Sequence, residues 1–239
     1  MLVNTKAIVI SALKYGEADL IVKAYTRESG LRTYMLKGIL KSKKGKFKAS
    51  QFQVLTQLEL VANHKDKGSL EYLKEAKVIN TYGSLHTNVV KSSMGMFLAE
   101  VLRNAIREEE SNPVLYDFLE HSFLQLDLLG SIANFHLFFL LKLSSYLGFQ
   151  PEASRRELPF FNLLEGTFEP VKTNEYCIEG ENLEILRRFL EVDFGQIDQV
   201  KLSHSARAEF LKMLLLYYEL HIEGFRKPRS LAVLNEIFS

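Results

Sequence analysis

Over the first 80 residues, apolar positions recur every second residue in short runs. Thr5–Leu13 holds Ala7, Ile8, Val9 and Ile10. Leu20–Thr26 alternates, with Leu20, Val22 and Ala24 on one face and Ile21, Lys23 and Tyr25 on the other. Leu31–Lys37 is a third segment and carries the β-favouring Thr33 and Tyr34. Val54–Ala62 sets Val54, Thr56, Leu58, Leu60 and Ala62 on one face, and Leu70–Val78 sets Leu70, Tyr72, Ala76 and Val78 together. Period-two patterns of this length predict half-buried strands. The breaks between them (Gly16-Glu17, Ser29-Gly30, the Gly38–Gly45 stretch and Lys67-Gly68) have turn chemistry. Five short strands leave edges that need cover, and a small closed barrel is the simplest way to protect them.

From residue 82 the period becomes helical. Met94, Phe97, Leu98, Val101, Leu102 and Ala105 form one stripe. Leu115, Phe118, Leu119, Leu126 and Leu129 form a second, and Phe210, Met213, Leu214 and Tyr217 a third. Asn112-Pro113 reads as a helix start, with Asn as the cap and Pro at the first helical position. Gly148 reads as the end of a helix covering Ile132–Leu147. Residues 149–180 interrupt the pattern with Pro151, Pro159, Gly166, Pro170 and Gly180, and predict an irregular insert with a hairpin around Glu165-Gly166. The expected class is α+β in two domains: a five-stranded barrel over 1–81 and a helical domain over 82–239 that contains the insert at 149–180.

Charge changes this picture because it follows the same division. Residues 1–80 carry 15 Lys/Arg and 7 Asp/Glu, whereas residues 81–239 carry 15 and 22, so the whole-chain value of +1 conceals +8 and −7. No carboxylate occurs between Glu28 and Glu59, and that gap holds Arg32, Lys37, Lys41, Lys43, Lys44, Lys46 and Lys48. Unopposed charge of this density repels itself, and a polyanion relieves the repulsion. Nucleic acid is the natural candidate, bound through phosphate neutralisation and counterion release. Lysine is a flexible point charge, suited to tracking a backbone more than to reading bases. Lys23 and Arg27 extend the basic group onto the second strand. Tyr25, on the strand face of Lys23 and Arg27, is the foremost candidate for stacking a base; Phe47, between Lys46 and Lys48, is another, while Phe52 reads as core. A second basic cluster, Arg226, Lys227 and Arg229, follows a helix; it either complements the helix end or receives an acidic peptide or phosphate.

Several chemistries are disfavoured. Gly38 and Gly45-Lys46 are separated by six residues where a phosphate loop requires four, and Phe47 stands where Ser or Thr belongs. His64, His86, His121, His136, His204 and His221 show no metal-ligand spacing, and His136, between Phe135 and Leu137, reads as a core histidine. Ser203-His204-Ser205 is better explained by helix capping than by a nucleophile. Glu108–Glu110 reads as a solvated helix end. No nucleophile, base and metal set can be assembled, so an enzyme is not expected. The lone Cys177 excludes an internal disulfide and fits a reducing compartment. The apolar run Leu137–Leu141 is far too short to span a membrane, and MLVNTKAIVI lacks a signal-peptide layout. A cytoplasmic location is expected.

The opening run TKAIVISALKYGEADLIVKAYTRESGLRTYMLKGILKSKKGK resembles the start of the bacterial RecO family, recombination mediators of DNA repair. The pieces that carry the likeness are Tyr15-Gly16-Glu17 with Asp19-Leu20-Ile21-Val22, then Thr26 through Gly30, then Lys37-Gly38 followed by basic residues. Leu58-Glu59-Leu60, Gly68-Ser69-Leu70, Leu147-Gly148-Phe149-Gln150-Pro151 and the ending YYELHIEGFRKPRSLAVL continue it in order. The resemblance implies an N-terminal OB-fold, a helical domain and no turnover. It further implies binding of single- and double-stranded DNA, strand annealing, engagement of the acidic C-terminal tail of single-stranded-DNA-binding protein, and action with RecR to load RecA at the nucleoid. By motif position, Lys37 and the basic residues after Gly38 correspond to the family's DNA-binding loop. Many members carry two cysteine pairs that hold zinc after the Gly-Phe-x-Pro element. Here that stretch is GFQPEASRRELPFFNLLEGTFEP, so no zinc is expected, and packing by Phe160, Phe161 and Phe168 is expected in its place. An RNA-directed OB-fold adaptor and a non-catalytic interaction scaffold remain alternatives, because a basic barrel does not reveal the sugar.

Overall fold

The computed structural model describes residues 1–41, 45–65, 70–107 and 110–238. The chain forms two compact units, Met1–Leu128 and Leu129–Ser239. The strands end at Asn80 and the first long helix begins at Val89, but compactness groups two helices with the strands.

In the first unit, β1 (Leu2–Tyr15), β2 (Asp19–Thr26), β3 (Gly30–Leu36), β4 (Gln57–Asn63) and β5 (Tyr72–Asn80) form one antiparallel sheet in the order β3-β2-β1-β4-β5. β1 is long enough to serve two partners. Leu2–Ile8 pairs with β4, and Ala7–Tyr15 pairs with β2. The register slips between Val9 and Ser11, so Ile10 is the extra residue of a bulge that bends the strand between its partners. The inner face buries Ala7, Val9, Leu20, Val22, Ala24, Tyr34, Leu36, Leu58, Leu60 and Ala62, with Ile39 and Phe52 closing the ends. The alternation in β2 is thus the one its sequence predicts. The fourth strand starts later than its pattern suggests: Leu55 takes φ +67°, and Val54 and Thr56 stand outside the ladder. In β5 a second slip, between Val61 and Ala62 of its partner, leaves Lys74 unopposed. The inner face is therefore Leu73, Ala76 and Val78, and Leu70 and Tyr72 are exposed, contrary to the simple alternation.

The sheet is OB-like but is not closed by a continuous ladder. β3 and the start of β5 meet at one parallel bridge, Tyr34 with Glu71, where Met35 N–H donates to the Glu71 carbonyl (2.9 Å) and Glu71 N–H donates to the Thr33 carbonyl (2.9 Å). A buried polar cluster lies behind this bridge. Tyr34 Oη is 3.0 Å from His64 Nε2, His64 Nε2 is 3.4 Å from Glu71 Oε2, and Arg32 reaches Glu71 Oε1 at 3.8 Å. The same carboxylate accepts from Lys65 N–H at 3.3 Å. Burial, and secondarily the charge of Glu71, holds the Tyr34 hydroxyl protonated well beyond the ordinary phenol range.

α1 (Val89–Ala105) and α2 (Pro113–Leu128) complete this unit. Asn88 caps α1 by accepting from Val90 and Lys91 N–H, and Asn112 Oδ1 accepts from Leu115 N–H at the start of α2. At the other end of α2, burial acts to raise the Asp127 carboxyl, but donors from Gly83, Ser84 and Leu85 N–H outweigh it and hold the group below its usual range.

In the second unit, α3 (Phe135–Tyr146) is apolar almost all round and packs against α4 (Gly180–Glu191) and α5 (His204–His221); α6 (Leu231–Ile237) follows. Ser203 caps α5 through Ala206 N–H at 3.1 Å. The insert folds as a small antiparallel sheet of β6 (Phe160–Asn162), β7 (Thr167–Glu169) and β8 (Cys177–Ile178), with β6 and β7 joined by the hairpin around Glu165-Gly166. Phe161 and Phe168 are buried edge to face at 5.0 Å, and Phe160 is half-buried. Gly166 has φ +71°, and a Cβ there would lie 2.9 Å from Tyr217 Oη, so glycine is required both by conformation and by space. Among the described residues, no helix is long and apolar enough to cross a membrane.

Glu71→Ala removes the carboxylate that the largely buried Arg32 reaches, and is expected to lower stability by about 3 kcal/mol. A denaturant midpoint equal to wild type would show that the ion pair does not hold the β3–β5 seam. His136 is buried against Phe238, and its pKa is lowered from 6.5 to about 3, by burial first and the charge of Arg207 second. The unfolded chain therefore binds a proton that the folded chain refuses between these values, and stability falls as pH drops from about 6.5 toward 3. In His136→Leu the slope of melting temperature against pH between 7 and 5 should be shallower; an unchanged slope assigns the acid sensitivity to other groups.

Candidate nucleic-acid interface

The outer face of β1, β2 and β3 is only partly open, since Ile8, Ile10, Ser11 and Met35 are buried there. The register sets Ser11, Lys23 and Thr33 in one row, and Leu13, Ile21 and Met35 in the next. Leu13 and Tyr15 are 58% and 56% exposed, and Lys23 is exposed on the central strand of the three. Past Met35 the chain exits through Lys37, also exposed. Asp19 accepts from Gly38 N–H at 2.7 Å, Gly38 takes φ +69°, and Leu40 N–H donates to the Ala18 carbonyl at 2.8 Å. This turn buries Ile39 and sends the basic loop out from the β1–β2 end of the sheet.

Lys23, Lys37, Lys41, Lys46 and Lys48 are exposed. Lys41 pairs with Glu17 at 2.6 Å, but both side chains are well solvated, so the pair holds its charge only weakly. Phe47 is half-buried, with its ring edge-on to Phe52 at 6.0 Å. Lys43 and Lys44 lie outside the described residues, as do Glu108 and Glu109 of the acidic run and the Lys67-Gly68 turn.

Three expectations are corrected. Tyr25 is 1% exposed, with its hydroxyl 3.5 Å from the Asn112 carbonyl, and its ring is not free to stack. Alternation alone places it on the outer face, but α2 covers that end of the sheet. Arg27 is claimed by the same helix: its Nε and Nη2 donate to Asp117 at 2.9 and 3.1 Å, and Glu28 lies at 3.5 Å. The pairing pulls the Asp117 carboxyl below its ordinary range. Arg32 points inward, in phase with Tyr34 and Leu36, and is 12% exposed in the seam cluster, with Nε donating to the Ser29 carbonyl at 2.9 Å.

Alternation also misses a residue. The inward Tyr34 and Glu71 share a bridge, so the next residue, Tyr72, points outward beside Met35 and is 43% exposed. Lys37 Nζ lies 5.7 Å from its ring centroid, and Lys65 Nζ lies 5.9 Å from the same centroid. Only the bulge at Lys74 explains why a tyrosine in phase with Ala76 and Val78 faces solvent, and a periodicity reading has no signal for it.

In the second unit, Arg226, Lys227 and Arg229 are all exposed. Lys227 pairs with Glu219 at 3.4 Å and lines a groove of about 240 Å³ with an apolar floor of Leu163, Ile178, Met213 and Leu216. Lys212 and Glu209 share its rim, 3.7 Å apart. Arg226 and Arg229 do not line it. The buried Cys177 sits among Asn162, Glu169, Thr173 and Asn174; Asn162 Nδ2 donates to Glu169 Oε1 at 2.8 Å, linking β6 to β7. Among the described residues, no cluster of three or more His, Cys, Asp or Glu is arranged to hold a metal ion.

Residues 1–82 match the family described as Recombination protein O N terminal, and residues 86–231 match Recombination protein O C terminal. The chain is 66% identical to DNA repair protein RecO of Christiangramia forsetii, 43% to that of Flavobacterium psychrophilum and 35% to that of Bacteroides fragilis, with both sequences covered completely in each case. With both halves matched in order over an OB-like sheet and a helical unit, this chain belongs to the RecO family of DNA repair proteins.

Proposed function

We propose that the chain is a DNA-binding recombination mediator that binds and anneals single-stranded DNA, engages single-stranded-DNA-binding protein, and acts with RecR to load RecA. The observation that carries this reading is the exposed basic group Lys23, Lys37, Lys41, Lys46 and Lys48, of which Lys23 shares its sheet with the exposed Leu13 and Tyr15, and in which Glu17 screens Lys41 only weakly. Asp19 is tied to the Gly38 turn and Glu71 is buried in the seam. In this mechanism lysines screen the repulsion between two phosphate backbones, and a shallow face holds one strand loosely enough for its bases to pair. The chain acts by binding, without turnover, in the cytoplasm at the nucleoid.

The groove beside Lys227 supports the partner-tail reading through its apolar floor, which suits an apolar-ended peptide, while at its rim Lys212 and Lys227 would exchange Glu209 and Glu219 for the peptide's own acids. Annealing measured with single-stranded-DNA-binding protein with and without its acidic tail tests it: loss of stimulation on tail removal is expected, and equal stimulation counts against the groove. The insert holds its shape without zinc, through the Phe161–Phe168 contact and the Asn162–Glu169 bond. Elemental analysis of the purified protein checks this, and stoichiometric zinc would refute it.

Affinity for a labelled single-stranded oligonucleotide should fall with salt along a log–log slope of about −3, corresponding to roughly four neutralised phosphates. Lys23→Ala and Lys46→Ala should each reduce that slope by about 0.7. Arg27→Ala should leave it unchanged, because Asp117 already neutralises that guanidinium. A flat salt dependence would remove DNA binding from the account, and strong preference for a matched RNA would replace DNA with RNA.

A further inference from the structure

We infer that Tyr72, Lys37 and Lys65 form a site for one unpaired nucleotide, with the base stacked on the tyrosine ring and the two ammonium groups on its flanking phosphates. The inference rests on the DNA-binding reading above and assigns it a residue that reads the presence of a base. Its ground is the convergence of three side chains from separate segments: Lys37 just after β3, Lys65 just after β4, and Tyr72 opening β5.

Each segment is held independently of the side chain it presents. The bridge between Tyr34 and Glu71 sets the chain on either side of Tyr72 and Lys37. The Glu71 carboxylate accepts from Lys65 N–H at 3.3 Å, so the residue preceding the ring also fixes the backbone of the second lysine. Glu71 itself cannot neutralise either ammonium, because it points to the inner side and is committed to Arg32 and His64. Two like charges brought within 6 Å of one ring centroid repel each other. An anion between them turns that repulsion into attraction, and as the phosphates draw the ammonium groups off the ring, the tyrosine, already 43% exposed, is left to stack with a base. A duplex, whose bases are stacked internally, offers nothing to this ring, so the site prefers single strands.

The chain contains no tryptophan, so Tyr72→Trp installs a single reporter at the site. Its fluorescence should be quenched by an oligothymidylate, and much less by an abasic oligomer of equal length and charge. Tyr72→Ala should weaken oligothymidylate binding about tenfold while leaving the abasic oligomer unaffected, and Tyr72→Phe should bind like wild type. Equal quenching by both oligomers, or wild-type affinity in Tyr72→Ala, would reduce the cluster to ordinary surface packing and leave the DNA-binding reading standing. Failure of the wild-type protein to bind either oligomer would overturn both.

Discussion

The first unit depends on a buried carboxylate. An antiparallel sheet of five strands has two edges, and nothing in the alternation of its side chains brings those edges together. Glu71 does so by working in two ways at once. Its backbone bridges Tyr34 of the opposite edge, and its side chain draws Arg32, His64 and the Lys65 amide into the same enclosed space. An ion in such a place is stable only with partners on every side, which makes the arrangement intolerant of losing any one of them. The β3–β5 seam is held where that carboxylate meets Arg32, His64 and the Lys65 amide.

The same logic governs the charge of the unit. Several of its acids are used structurally. Asp117 and Glu120 of α2 take Arg27 and Lys6, Asp19 holds the turn at Gly38, and Asp127 collects three amides ahead of α1. Among the described residues, exposed lysines stand on β2 (Lys23), after β3 (Lys37) and at Lys46 and Lys48, with others on β1 (Lys14) and β5 (Lys74 and Lys77). A count along the sequence records a polycation; only the pairing pattern shows which part of it is available to another molecule.

Much of this was legible beforehand, and the failures have physical causes. Leu20, Val22 and Ala24 face inward as their alternation indicates, Asn112-Pro113 and Ser203 start helices, and the hairpin at Glu165-Gly166 forms. Tyr25 and Arg27 escape the alternation because strand parity separates two faces but does not say which parts of the outer one a helix covers. Arg32 lies on the inner parity, but a charge is not expected there until its partner is known, and Glu71 is distant in sequence. Tyr72 was misplaced by a single bulged residue. The exposed lysines needed no structure to be noticed, since their distinction lies in the absence of acids around them.

The bulge at Ile10 has a consequence for how this sheet can vary. Ala7 and Val9 face the core before it and Ala12 after it, so inside positions change from odd to even numbers within one strand. Removing Ile10 would preserve which neighbours point inward yet yield a straighter ribbon, unable to serve β2 and β4 at their present angle. Curvature is thus written in the length of β1 rather than in the identity of its residues: substitutions there trade packing, whereas a one-residue deletion changes the geometry of the whole sheet.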